Sequence, residues 1–149
     1  MEEIKVAGET AQFIVIRLGQ EQYGIDISYI ENIVRMQHIT RVPKLAPYLK
    51  GVINLRGEVI PIMCLSMKMG LPVEEETKES RIIIIKMEQC GTLGLIVDEV
   101  KEVVTLDMTE QVEKLAFKKE DKSNFVQGVG KCAGCLISLL DLNAVTAEK

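Results

Sequence analysis

Gly51-Val-Ile-Asn-Leu-Arg-Gly-Glu-Val-Ile-Pro-Ile62 is the stretch whose reading decides the fold. It forms two short apolar strands folded over a tight turn. Val52, Ile53 and Leu55 lead in, Arg56-Gly57 turns with Asn54 and Glu58 beside it, and Val59, Ile60 and Ile62 lead out. Glycine supplies the positive φ of a short hairpin loop, and β-branched neighbours favour pleated strands. Pro61 cannot donate to a central ladder, so an edge or a strand end suits it. The hairpin presents a single guanidinium, Arg56, near its tip.

Upstream, Gln12–Leu18 and Tyr23–Ile27 read as strands around a Gly19 turn. Ser28 then caps an expected short helix over Tyr29–Arg35, with Glu31 completing a capping-box pattern and Ile30, Ile33 and Val34 on one face. Pro43 and Pro47 make His38–Pro47 a loop. Downstream, Met63–Gly70 is apolar and Glu74–Glu79 is an acidic surface link.

The second half starts over. At a spacing of 70 residues, Tyr23, Gly24, Ile25, Ile27, Ile30, Ile33 and Val34 fall on Leu93, Gly94, Leu95, Val97, Val100, Val103 and Val104. At a spacing of 77, Gly51-Val52, Gly57, Val59-Ile60 and Leu65 fall on Gly128-Val129, Gly134, Leu136-Ile137 and Leu142. The seven extra residues fit most simply in the polar stretch Thr109–Asn124. Short strands separated by glycine-containing turns favour an all-β protein of two small barrels related by duplication. The expected subdomains are 11–72 and 80–146, after a flexible N-terminus at 1–10. A C-terminal tail over Ala144–Glu148 is expected to pack back on the first subdomain, and the groove between the barrels is the natural binding site.

Of the 149 residues, 47% are hydrophobic but only 4% aromatic, with no Trp, so the core must be Ile, Val, Leu and Met. The net charge of −4 and the absence of a basic run disfavour a nucleic-acid partner. The longest aliphatic run, Ile82–Ile85, is far too short to insert in a membrane, and the charged start lacks a signal-peptide core. A cytoplasmic protein is expected. Cys64, Cys90, Cys132 and Cys135 do not form a disulfide framework pattern.

Cys132-Ala-Gly-Cys135 is half of a zinc knuckle, but zinc wants four ligands, and His38 is the only histidine. The repeat places Ala133-Gly134 in a turn equivalent to Arg56-Gly57, where two thiols flanking a hairpin is the plainer reading. No base with a partner, nucleophile elbow or phosphate loop is present, so neither catalysis nor a cofactor or metal is expected. Arg56 is open to two readings, a solvated turn charge or a contact residue. Ile30, Ile33, Val100 and Val103 are similarly open between core and interface.

Tyr23-Gly-Ile-Asp-Ile27, Ile39-Thr-Arg-Val-Pro43, Gly51-Val-Ile-Asn-Leu-Arg-Gly57, Val59-Ile-Pro-Ile62, Gly94-Leu-Ile-Val-Asp98, Gly128-Val-Gly130 and Leu139-Leu-Asp-Leu142 together resemble the CheW family of bacterial chemotaxis coupling proteins. The match spans 11–146 as one domain. The resemblance implies two SH3-like five-stranded β-barrel subdomains and a non-catalytic scaffold. That scaffold would join the cytoplasmic tips of methyl-accepting chemoreceptors to the regulatory domain of the histidine kinase CheA in a chemoreceptor array. It implies a receptor surface of Ile30, Asn32, Ile33, Gly51, Asn54, Arg56, Gly57, Val97 and Val100. Kinase contacts are implied at Ile39, Thr40, Arg41, Val42 and Pro43, with a second kinase contact on the other subdomain. A monomer is expected when free. Cys64 departs from the family pattern, which carries Asp there, while Asp141 keeps it in the second half. The competing readings are a receptor-docking adaptor that has lost kinase coupling, a zinc or thiol protein using Cys132 and Cys135, and a generic peptide-binding barrel pair.

Overall fold

The computed structural model describes residues 10–114, 125–132 and 134–147. The expected flexible N-terminus falls outside them except for Thr10, which starts a strand; Ala133 and residues 115–124 also lie outside. In chain order the elements are β1 (Thr10–Leu18), β2 (Glu21–Asp26), β3 (Ile30–Arg35), β4 (Leu49–Leu55), β5 (Glu58–Cys64) and the one-turn helix α1 (Leu65–Lys68). They continue with β6 (Arg81–Met87), β7 (Gly91–Val97), β8 (Glu99–Asp107), β9 (Val112–Lys114), β10 (Val126–Cys132), β11 (Cys135–Leu140) and α2 (Leu142–Thr146). The protein is all-β with short helical turns.

Two sheets form, ordered β8-β1-β2-β11-β10-β9 and β3-β6-β7-β5-β4. The duplication holds element by element. β1 to β5 and α1 correspond to β6, β7, β8, β10, β11 and α2, and β9 is the addition, falling within the stretch Thr109–Asn124 that holds the extra residues. In each sheet the third, fifth and fourth strands of one repeat flank the first and second strands of the other.

This exchange corrects the expected boundaries. The compact units are not the halves 11–72 and 80–146. One takes Gln20–Ser28 and Lys101–Lys149 together with the start of β1, and the other takes Arg17–Gly19 and Tyr29–Val100. The cause is local pairing. β7 lies parallel to β5, with Gly94 opposite Ile62, and β11 lies parallel to β2, with Leu139 opposite Gly24. A Cβ on Gly94 would sit 2.6 Å from Ile62 Cδ1, and one on Gly24 would sit 2.9 Å from Leu139 Cδ2. The glycines that register the repeat therefore mark, in each sheet, the parallel junction between strands of different repeats.

The expected helix over Tyr29–Arg35 is instead a single 3-10 turn, Ile27–Tyr29, followed by β3. The Ser28 amide donates to Asp26 Oδ1, and Ser28 heads no α-helix. β3 pairs with the isoleucine run of β6, and a register shift between Ile30 and Asn32 leaves Glu31 unpaired. That bulge turns a period of two into the apparent helical spacing of Ile30, Ile33 and Val34. The expected tail is also corrected: Ala144 to Thr146 belong to α2.

Each unit has its own aliphatic core. In the unit holding the hairpin, Ile53, Ile60, Ile62, Ile82 and Ile84 cluster, with Val34, Met36, Ile39, Leu55 and Ile96 against them. In the other, Phe13, Val15, Leu106, Ile137 and Leu139 do the same. Val34 and Leu55 stand on opposite edge strands yet touch one core, so that sheet curls around its contents.

Candidate functional site

The hairpin forms as read. Arg56 and Gly57 take φ values of 53° and 83°, the left-handed pair that suits a two-residue loop between twisted strands. Asn54 Oδ1 accepts from the Gly57 amide at 3.1 Å and braces the turn. Ile53 and Ile60 pair inward, each 2% exposed. The pairs Val52–Pro61 and Asn54–Val59 therefore face outward. Val59 is 61% exposed, and Pro61 is exposed as well. The β5 ladder to β7 covers only Ile62 to Cys64, so Pro61 stands just outside it and costs no ladder bond. Arg56 is exposed and makes no ion pair or side-chain hydrogen bond among the described residues. The hairpin thus presents a free guanidinium beside a strip of Val52, Val59 and Pro61.

Gly51 has a different task. It is buried at φ 139°, and a Cβ there would fall 2.1 Å from the Thr40 carbonyl oxygen. Its bare backbone lets Thr40 and Val52 exchange two hydrogen bonds of 2.8 and 2.9 Å. This bridge seats Ile39–Pro43 along β4. Ile39 packs on the core, while Thr40, Arg41, Val42 and Pro43 are exposed. Ile39, Arg41, Val42 and Pro43 border a groove of about 640 Å³ that continues over Lys44, Leu45, Leu49 and Lys50. Its charged side chains are Arg41, Lys44 and Lys50, with no carboxylate among the lining residues.

Ile30, Asn32 and Ile33 lie across the same sheet. Ile30 and Ile33 on β3 are half-buried on the face of Ile85 and Ile83, and Asn32 Oδ1 accepts from the Ile33 amide. β3 and β4 are the two edges of the sheet in hydrogen-bond order. The structure therefore brings Asn54, Arg56 and Gly57 together with Thr40–Pro43 at one edge and places Ile30–Ile33 at the other. Val100 is half-buried at the start of β8. Val97 is a correction: with 0% exposure it is a core residue and has no surface to offer. Gly51, equally buried, acts only through the backbone it brings close.

Sequence reasoning does not single out Val59, Pro61 or the groove residues Lys44 and Lys50. Alternation could have found Val59, since a two-residue turn at 56–57 forces it onto the face of Asn54.

Among the described residues no group of three or more His, Cys, Asp or Glu is placed to hold a metal. No helix among them is long and apolar enough to cross a membrane.

The chain matches a family model described as CheW-like domain over residues 12–149. It is 35% identical over 134 residues to a chemotaxis protein CheW of Bacillus subtilis, covering 90% of this chain and 85% of that one. To a chemotaxis protein CheW of Helicobacter pylori it is 31% identical, over 92% and 82% of the two chains. It superposes on the crystal structure of the scaffolding protein TtCheW from Thermoanaerobacter tengcongensis with a TM-score of 0.84 at 31% identity, covering 93% and 94% of the two chains.

Proposed function

The chain belongs to the CheW-like domain family, and from that premise we propose that it is a non-catalytic scaffold of chemotaxis signalling. It couples the cytoplasmic tips of methyl-accepting chemoreceptors to the regulatory domain of the histidine kinase CheA, in the cytoplasm at the receptor array. The observation that carries this reading is Arg56, held left-handed at a hairpin tip, exposed and without a partner in the described chain. A conformation that disfavours a side chain is retained together with a directional cation, and such outliers collect where they contact something.

The receptor contact uses Arg56 and Asn54 beside Val59 and Pro61, with Ile30, Asn32, Ile33 and Val100 as further contacts. A helical receptor tip laid on apolar anchors fits the helix-in-groove mode, in which a few buried residues carry most of the energy. The kinase contact uses Ile39–Pro43 and the groove they border. Its cations and exposed Val42 and Leu45 suit a partner surface that is acidic with an apolar knob.

Kinase autophosphorylation in a mixture of receptor fragments and CheA, with and without this protein, tests the proposal. Stimulation requiring both partners, and lost in Arg56→Ala, is expected. Arg56→Ala should weaken receptor binding by about 1–3 kcal/mol, the range for a hydrogen bond to a charged group, and leave the fold intact. Receptor binding without stimulation would point to an adaptor that has lost kinase coupling. Unchanged binding by a folded Arg56→Ala protein would make Arg56 a solvated turn charge.

A further inference from the structure

We propose that Cys132 and Cys135 form a reversible dithiol–disulfide couple, a redox modification site on the β10–β11 hairpin. The two residues are direct cross-strand partners at the end of that hairpin. Such partners have Cα atoms about 4.5–5.5 Å apart and side chains on one face, within the roughly 4.4–6.8 Å span that a disulfide bridges. Both thiols are free; Cys132 is half-buried and Cys135 is exposed. Cys132 rests against the Phe13, Leu106 and Ile137 core, which fixes its place, while Cys135 is open to attack from solvent.

The internal repeat shows that the hairpin does not require these thiols. Leu55 and Glu58 occupy the equivalent paired positions on β4 and β5, and that hairpin closes without sulfur. The other two cysteines lack this arrangement. Cys64 is buried and pairs with Ile96, and Cys90 lies in the turn between β6 and β7.

The chemistry is thiol–disulfide exchange with a low-molecular-weight disulfide such as oxidised glutathione. The Cys135 thiolate attacks one sulfur of that disulfide, its S–S bond breaks, and one thiolate leaves. The Cys132 thiolate then attacks Cys135 Sγ of the mixed disulfide and expels the second thiolate. The two protons of the cysteines end on the two released thiols, and the protein loses two electrons. A short, accessible cross-link of this kind is readily reduced and belongs with labile rather than structural disulfides. It would lock the hairpin next to a clamp in which the Lys131 amide donates to the Gln111 carbonyl and Gln111 Nε2 donates to the Lys131 carbonyl.

Full-length protein equilibrated in buffers of graded oxidised and reduced glutathione, quenched with acid, alkylated and peptide-mapped by mass spectrometry, is the test. A Cys132–Cys135 disulfide should appear as the oxidised fraction rises and disappear in excess reduced glutathione. Cys132→Ser should trap Cys135 as a glutathione mixed disulfide, and Cys135→Ser should slow oxidation of the hairpin at least tenfold. Separate glutathione adducts on both cysteines of the unmodified chain would overturn the proposal. So would thiols that stay reduced throughout, or a disulfide that excess reduced glutathione leaves intact. Stoichiometric zinc retained by protein purified without chelator would also overturn it, by making the pair part of a metal site.

Discussion

A non-glycine residue in the left-handed region is held there at a cost of about 1–3 kcal/mol, and Arg56 is such a residue at φ 53°. If the guanidinium serves a partner and not the hairpin, Arg56→Gly should relieve the strain and lose the contact together. We expect denaturant unfolding of Arg56→Gly to show stability higher by about 1 kcal/mol, the scale of relieving such strain, while receptor binding falls as in Arg56→Ala. A less stable Arg56→Gly protein would show that the side chain supports its own turn. Another residue sets a local pH response. Asp107 Oδ1 accepts from Thr109 Oγ1 at 2.6 Å, and also from the Thr109 and Glu110 amides. These bonds, the hydroxyl's first, hold the carboxyl below the usual carboxylate range. Because the folded-state pKa is the lower one, its stabilisation is present above the ordinary carboxylate pKa and is lost as pH falls through the depressed value. Thr109→Val should move the Asp107 titration measured by NMR upward, toward the ordinary range. An unmoved titration would assign the effect to the two amides alone.

At the scale of the element, glycines sort into those serving a turn and those serving a close approach. Gly57 meets nothing within 4 Å and is needed for its φ, whereas Gly94 and Gly51 are needed for space. Gly94→Ala should destabilise by about 1–3 kcal/mol, the usual cost of overpacking, because the nearest obstructing atom, Ile62 Cδ1, is a side-chain end that can shift. Gly51→Ala should cost more, because its obstacle is the Thr40 backbone carbonyl and its φ is positive. It should also release the loop over Ile39–Pro43, seen as faster hydrogen exchange at the Thr40 and Val52 amides. Equal effects from the two substitutions would mean that the Thr40 bridge adds nothing. The two short helices differ in a related way. Asp141 caps α2 by accepting from the Asn143 amide, while Cys64 caps α1 with no side-chain bond. The departure noticed at Cys64 is thus a missing cap. The sequence made this difference legible because the repeat aligned Cys64 with Asp141. It made β3 illegible, because one bulged residue, Glu31, imitates a helical period.

At the scale of the whole molecule, local patterns reveal the strands other than β3, the hairpin and the duplication, but not which repeat each strand joins. Nothing in the alternation of Tyr23–Ile27 states that β2 will lie beside β11. That choice is made by parallel contacts such as Gly24 against Leu139, more than a hundred residues apart in the chain. The resemblance implies a surface role for Val97, and its apolarity is legible in the sequence, while the neighbours that bury it are not. The exchange has a consequence for the chain as a whole. Each sheet draws strands from both repeats, so neither half contains a complete sheet. In a fragment of residues 1–75, β3 loses β6, β5 loses β7 and β2 loses β11, leaving two separate hairpins, β1–β2 and β4–β5, and the lone strand β3, all marginal in water. Fragments 1–75 and 76–149 should each lack a dispersed NMR spectrum as monomers, and an equimolar mixture should recover the spectrum of the intact chain. A fragment that instead folded as a homodimer would still obey the rule, since equivalent strands of a second copy can stand in for the missing repeat. A fragment 1–75 that folds cooperatively as a monomer at high dilution would sink it, because the first and second strands of a repeat would then be able to complete the sheet of their own third, fourth and fifth.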